Sequence, residues 1–92
     1  SPSPLPQRSE TFSDNVDHFI HAALDQAKAT VFADPRISSV NRNKEIIRLV
    51  HEQGIFKMKN AVPKVAQELG VSKNTVYLHL RSLKNADQGE EA

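Results

Sequence analysis

The 92-residue sequence predicts an all-α fold, a long N-terminal connecting helix followed by a trihelical unit. Three observations carry this reading. Apolar residues recur three and four positions apart in four separate segments. No segment alternates apolar and polar residues for the length of a strand, and Ser, Asn and Gly stand at the segment boundaries, where helices start and stop.

The first helix is expected over residues 11–34, with Thr11 or Ser13 as N-cap and Asp14 and Asp17 at its positive end. Val16, Phe19, Ile20, Ala23, Leu24, Ala27 and Val31 form one wide apolar stripe. Pro35 disfavours helix at Asp34 and stops the element. A helix of this length, ~30 Å, exceeds what a small trihelical unit can cover. The stripe is therefore expected to pack in part on a second copy of the chain, making those seven residues the dimerisation surface.

The trihelical unit is expected over residues 38–85. Its first helix is capped by Ser38, Ser39 or Asn41, buries Ile46, Ile47 and Val50, and stops at Gly54, after which Ile55 and Phe56 anchor the chain. Asn60 is the expected N-cap of the next helix, which tolerates Pro63 in its first turn and carries Val62, Val65, Ala66 and Leu69 inward. Gly70 ends it. Only Val71 separates that glycine from Ser72, which caps a last helix running through Val76, Leu80 and Leu83 to about Asn85. The Pro-rich residues 1–10 and the acidic residues 86–92 are expected to stay disordered.

Composition narrows the function classes. There is no cysteine, which removes disulfides, thiol nucleophiles and Cys-type zinc sites. No apolar run approaches the ~18 residues of a membrane span, and the start lacks the apolar centre of a signal peptide, so a soluble cytoplasmic protein is expected. The net charge of +1 hides an asymmetry: residues 1–40 carry three Lys/Arg against five acids, residues 41–85 carry nine against three, and the tail adds three acids. A basic C-terminal half suits a polyanionic partner. Ser, His and Asp occur, but without a nucleophile elbow, a phosphate-cradling glycine loop or paired carboxylates, and no catalytic residue is assigned. His18, His21 and Asp25 are spaced along one helix so that a surface metal could bridge them, yet a fourth ligand is lacking, and neither metal nor cofactor is expected.

The stretch AQELGVSKNTVYLHL, residues 66–80, holds the motif that carries chemistry. Two helices joined by a short turn containing Gly can form a DNA-reading helix-turn-helix or a plain helical hairpin. A small residue at Ala66, a glycine at 70 and a branched apolar residue at 71 fit the reader as a set. The outward positions from 72 to 84 contain no acid, and lysines and arginines flank the unit. Double-stranded DNA, in the form of a palindromic operator, is the expected partner. The alternative is a helical interaction or dimerisation module without specific readout.

The run from Asn43 to Leu83, with its GIF, its basic linker and AVPKVAQELGVSKNTVYLHL, together with TFSDNVDHFI and DPRISSVNRNK upstream, resembles the C-terminal helix-turn-helix of YheO-like bacterial transcriptional regulators, among them a D-arginine utilisation repressor. The resemblance covers about residues 11–84. It implies a PAS-like sensor domain N-terminal to this region in the full-length protein, for which 92 residues leave no room. It also implies that residues 72–84 are the recognition helix. Lys73, Asn74 and Leu78 are then the expected base contacts, and Ser72, Thr75, Tyr77, Lys57, Lys59, Lys64 and Arg81 the expected phosphate contacts.

Overall fold

The computed structural model describes the backbone of residues 11–91 and the side chains of residues 15–86. The expected disorder of residues 1–10 lies outside the described residues. Among the described residues there are four α-helices and two single 3₁₀ turns: α1 Thr11–Phe32, a turn Ser39–Asn41, α2 Arg42–Glu52, a turn Ile55–Lys57, α3 Ala61–Leu69 and α4 Lys73–Glu91. There is no strand among the described residues. Among the described residues no helix is long and apolar enough to cross a membrane.

α1 packs against α2 and α3, and α4 packs against the same two helices. The shared core draws Ile20, Leu24, Ala27 and Val31 from α1, Ile46, Ile47 and Val50 from α2, Val65 and Ala66 from α3, and Val76 from α4, with Ile55 inserted from the intervening turn. Among the described residues no polar or charged residue is buried in it.

This arrangement corrects the expected dimerisation surface. Ile20, Ala23, Leu24, Ala27 and Val31 are all at most 5 % exposed within a single chain, and Val16 packs against the same core. α2 and α3 cover the stripe that seemed too wide for one copy. Of the seven residues only Phe19, 49 % exposed, stands open to solvent.

The helix boundaries have local causes. Ser13 lies inside α1, so it does not cap it. After α1 the Asp34 carboxylate accepts from the Arg36 amide at 2.9 Å and from its guanidinium at 3.0 and 2.9 Å, while the Ile37 amide closes a turn onto the Asp34 carbonyl at 3.2 Å. Pro35 occupies the second position of that turn, where its fixed φ is favourable. The Arg36 bonds hold the Asp34 carboxyl at a pKa of about 2, below its ordinary 3.8. At α2, none of the expected caps acts through its side chain: a 3₁₀ turn leads into the helix and neither Ser38 nor Asn41 makes a side-chain cap bond. Asn60 does hold the N-cap position of α3, but with φ +62° and no side-chain bond to the helix. Asparagine is among the few residues other than glycine that tolerate this left-handed conformation.

α4 also departs from expectation, running to Glu91 rather than ending near Asn85 and leaving a disordered tail. Residues 85–91 contain no proline, and their single glycine costs a helix only about 1 kcal/mol relative to alanine, too little to break it.

Candidate nucleic-acid interface

The angle between α3 and α4 is set by the turn of three residues between them. The Val71 amide donates to the Ala66 carbonyl at 3.0 Å and the Gly70 amide to the Gln67 carbonyl at 3.3 Å. That pair of bonds is the Schellman stop of a helix, which needs a left-handed residue where Gly70 stands, and Gly70 has φ +71°. Val71 completes the motif by packing partly into the core. Ala66, whose carbonyl closes the turn, is 3 % exposed.

Ser72 then starts α4. Its Oγ accepts from the Thr75 amide at 3.1 Å, and its carbonyl accepts from the Thr75 and Val76 amides at 3.1 and 3.2 Å. The Ser72 and Thr75 hydroxyls also bond each other at 3.0 Å. One of the two protons is consumed in that bond, so the pair retains a single outward O–H where two phosphate donors were expected. The Lys73 and Asn74 amides, in the first turn, have no carbonyl one turn back to bond.

With Val76 fully buried and Leu80 packed against the core, α4 turns Lys73, Asn74, Tyr77, Leu78 and Arg81 outward. Tyr77 is 50 % exposed and Leu78 57 %, two of the few large apolar side chains left open. No acid stands among residues 72–86. Lys57 and Lys59 are exposed in the segment before α3. His79 is partly covered, and burial, assisted by the charge of Lys44, pushes its imidazole below its usual pKa.

Lys64 is the expected phosphate contact that the structure does not bring to this face. Its Nζ lies 3.8 Å from Glu68, in a shallow pocket shared with Asp17, His18 and His21. Glu68 itself is a junction between α1 and α3. His21 Nδ1 lies 2.8 Å from Glu68 Oε1, and Lys28 Nζ donates to the Glu68 carbonyl at 3.4 Å. The other ring nitrogen of His21 lies 3.3 Å from Asp25. No group of three His, Asp or Glu side chains among the described residues is placed to hold a metal. This α1–α3 junction has no sequence signal, since 47 positions separate His21 from Glu68 and neither belongs to an apolar stripe.

Comparison with known proteins follows the same lines. A family model described as an HTH domain matches residues 17–81. The uncharacterized protein YheO of Escherichia coli K12 is 36% identical over 84 residues, covering 90% of this chain and 35% of the relative. An uncharacterized protein of Haemophilus influenzae is 30% identical over 80 residues, covering 87% of this chain and 36% of its own length. The transcriptional regulator DauR of Pseudomonas aeruginosa is 33% identical over 89 residues, covering 91% of this chain and 40% of the relative. The chain thus spans little more than a third of the length of these curated relatives. No solved structure matches it. With most of its residues inside the family match, and YheO and DauR both similar across nearly all of it, the chain belongs to the YheO-like helix-turn-helix family.

Proposed function

We propose that this chain is the DNA-binding part of a bacterial transcriptional regulator, with α4 as the recognition helix in the major groove of a palindromic operator. The observation that carries the reading is the outer face of α4: Lys73, Asn74, Tyr77, Leu78 and Arg81, free of acid, set off from the core by a Schellman turn and a capped N-terminus. Lysine can donate to guanine O6 and N7, asparagine can pair with adenine N6 and N7, and leucine can lie against a thymine methyl group. Lys57, Lys59, Tyr77, Arg81 and the remaining hydroxyl of the Ser72–Thr75 pair supply phosphate contacts that fix register. Regulation is supported by the printed name of DauR, a transcriptional regulator similar over 91% of this chain.

Pairing of two copies, which a palindromic site requires, rests on the outward side of α1. There Phe19 is exposed, and Ala22, Gln26 and Ala29 beside it are exposed and carry no charge. The core-facing stripe has no part in it.

Selection of bound sequences from a random duplex pool tests the proposal. An enriched palindrome is the expected result. Lys73→Ala and Asn74→Ala should each lose about 1–3 kcal/mol of discrimination between that site and random duplex. A pool that stays random, with binding unchanged in both variants, refutes sequence readout and leaves α4 as part of an interaction module.

A further inference from the structure

A groove lies away from the N-terminal end of α4. It has a volume of ≈ 760 Å³ and is walled by the C-terminal half of α2 and by α4 around Leu80–Lys84, with the Ile55–Lys57 turn contributing Phe56 and Lys57. Phe56, Leu80 and Leu83 form an apolar floor, and Arg48, Lys57 and Lys84 stand along its edges. Phe56 is braced by the His51 ring, 6.4 Å away.

Charge decides what such a groove accepts. Arg48 is committed to Glu45 and Glu52, at 2.8 and 2.9 Å. Lys57 and Lys84 make no ion pair among the described residues, so the uncompensated charge among the described groups of the rim is positive. An apolar floor between unpaired cations matches the face of an amphipathic helix whose apolar residues fall at i, i+3, i+4 and i+7 and whose flanks carry carboxylates. A phosphate backbone matches it poorly, because Phe56, Leu80 and Leu83 offer a phosphate nothing to bond.

We propose that this groove docks an acidic amphipathic helical segment of a protein partner. Lys84 stands eleven positions along α4 from Lys73, a rise of ~16 Å. A partner seated here leaves the N-terminal end of α4 uncovered. The groove thus gives this domain a second contact surface, which shares only Lys57 with the phosphate contacts proposed for DNA.

The test is a ¹⁵N NMR titration of the whole 92-residue chain with two 14-residue helical peptides. Both carry leucines at the same spacing, one with glutamates and the other with lysines at its remaining positions. Expected are saturable shifts from the glutamate peptide at the amides of His51, Phe56 and Leu83, complete by about 1 mM, the weak end of specific association. Lys84→Glu, at an exposed position that leaves the fold intact, should weaken this binding about threefold. Leu83→Ala should weaken it about fivefold or more. The proposal is overturned by an absence of shifts at 1 mM, by equal binding of the lysine peptide, or by shifts confined to Lys73, Asn74 and Leu78. It is also overturned if random duplex DNA moves the groove amides and displaces the peptide, which assigns the groove to phosphate contact.

Discussion

Leu24→Ala separates the two roles open to the apolar stripe of α1. Leu24 has no exposed surface within one chain and sits in the core shared with α2 and α3. Truncating a fully buried leucine costs about 2.7–5 kcal/mol, the lost transfer free energy plus the cavity left behind. A domain with about 80 described residues has only ~4–12 kcal/mol to lose. The melting temperature should therefore fall by at least about 10 °C, and by the same amount at every protein concentration. Thermal unfolding followed by circular dichroism at concentrations a hundredfold apart measures this, and Ile20→Val, costing about 1 kcal/mol, provides a milder variant that stays folded. If the stripe instead covered a second copy, wild-type stability would rise with concentration, and Leu24→Ala would yield a folded monomer that no longer responds to it. That outcome would refute the packing of α1 described above.

Other consequences are as specific. A Cβ at Gly70 would meet nothing within 4 Å, so Gly70→Ala is charged only for φ +71°, about 1–2 kcal/mol in urea denaturation; a loss above 3 kcal/mol would mean a clash the structure does not contain. Lys59→Ala should weaken operator and random duplex alike and reduce the slope of log affinity against log salt by about 0.9, read from titrations at several salt concentrations. The depressed pKa of Asp34 means its bonds to Arg36 favour the folded state above about pH 4 and cease to do so as pH falls from 3.8 through about 2. Asp34→Asn should flatten the acid side of the stability profile in that window and leave the profile above pH 5 parallel to wild type.

What the sequence made legible was what repeats or punctuates. Ile46, Ile47 and Val50, or Val65 and Val76, announce their burial by spacing, and the structure buries them. Gly70 and Ser72 announce a stop and a start, and they form the Schellman and cap bonds that those residues can form. The failures share a different cause. The partner of the α1 stripe could not be read, because periodicity shows which face is buried but not which surface covers it. Ser38, Asn41 and Asn60 do stand at cap positions, but none bonds the helix through its side chain, because a suitable residue marks a boundary without dictating which bonds close it. Lys64 carries a charge that suits a phosphate and equally suits Glu68, one turn along α3, and Glu68 is in turn met by His21 and Lys28 where α3 docks on α1.

The outer face of α4 is where local rules and the fold disagree. Among the described side chains, every other helix places its large apolar residues in the core or against it, apart from Phe19 and Phe32 on α1, and Arg42 lies over the latter with its guanidinium 4.4 Å from the ring centre. Tyr77 and Leu78 have no such cover on a helix whose inward positions are already filled by Val76 and Leu80. Exposing them contributes nothing to stability, and a lysine or glutamate at either position would suit the helix as well. Sequences depart from internal consistency chiefly where another requirement acts. A requirement that keeps an exposed leucine and tyrosine beside Lys73, Asn74 and Arg81, while excluding acids from residues 72–86, is met by a surface that is anionic at its edges and carries methyl groups and bond acceptors within. The major groove of DNA is such a surface.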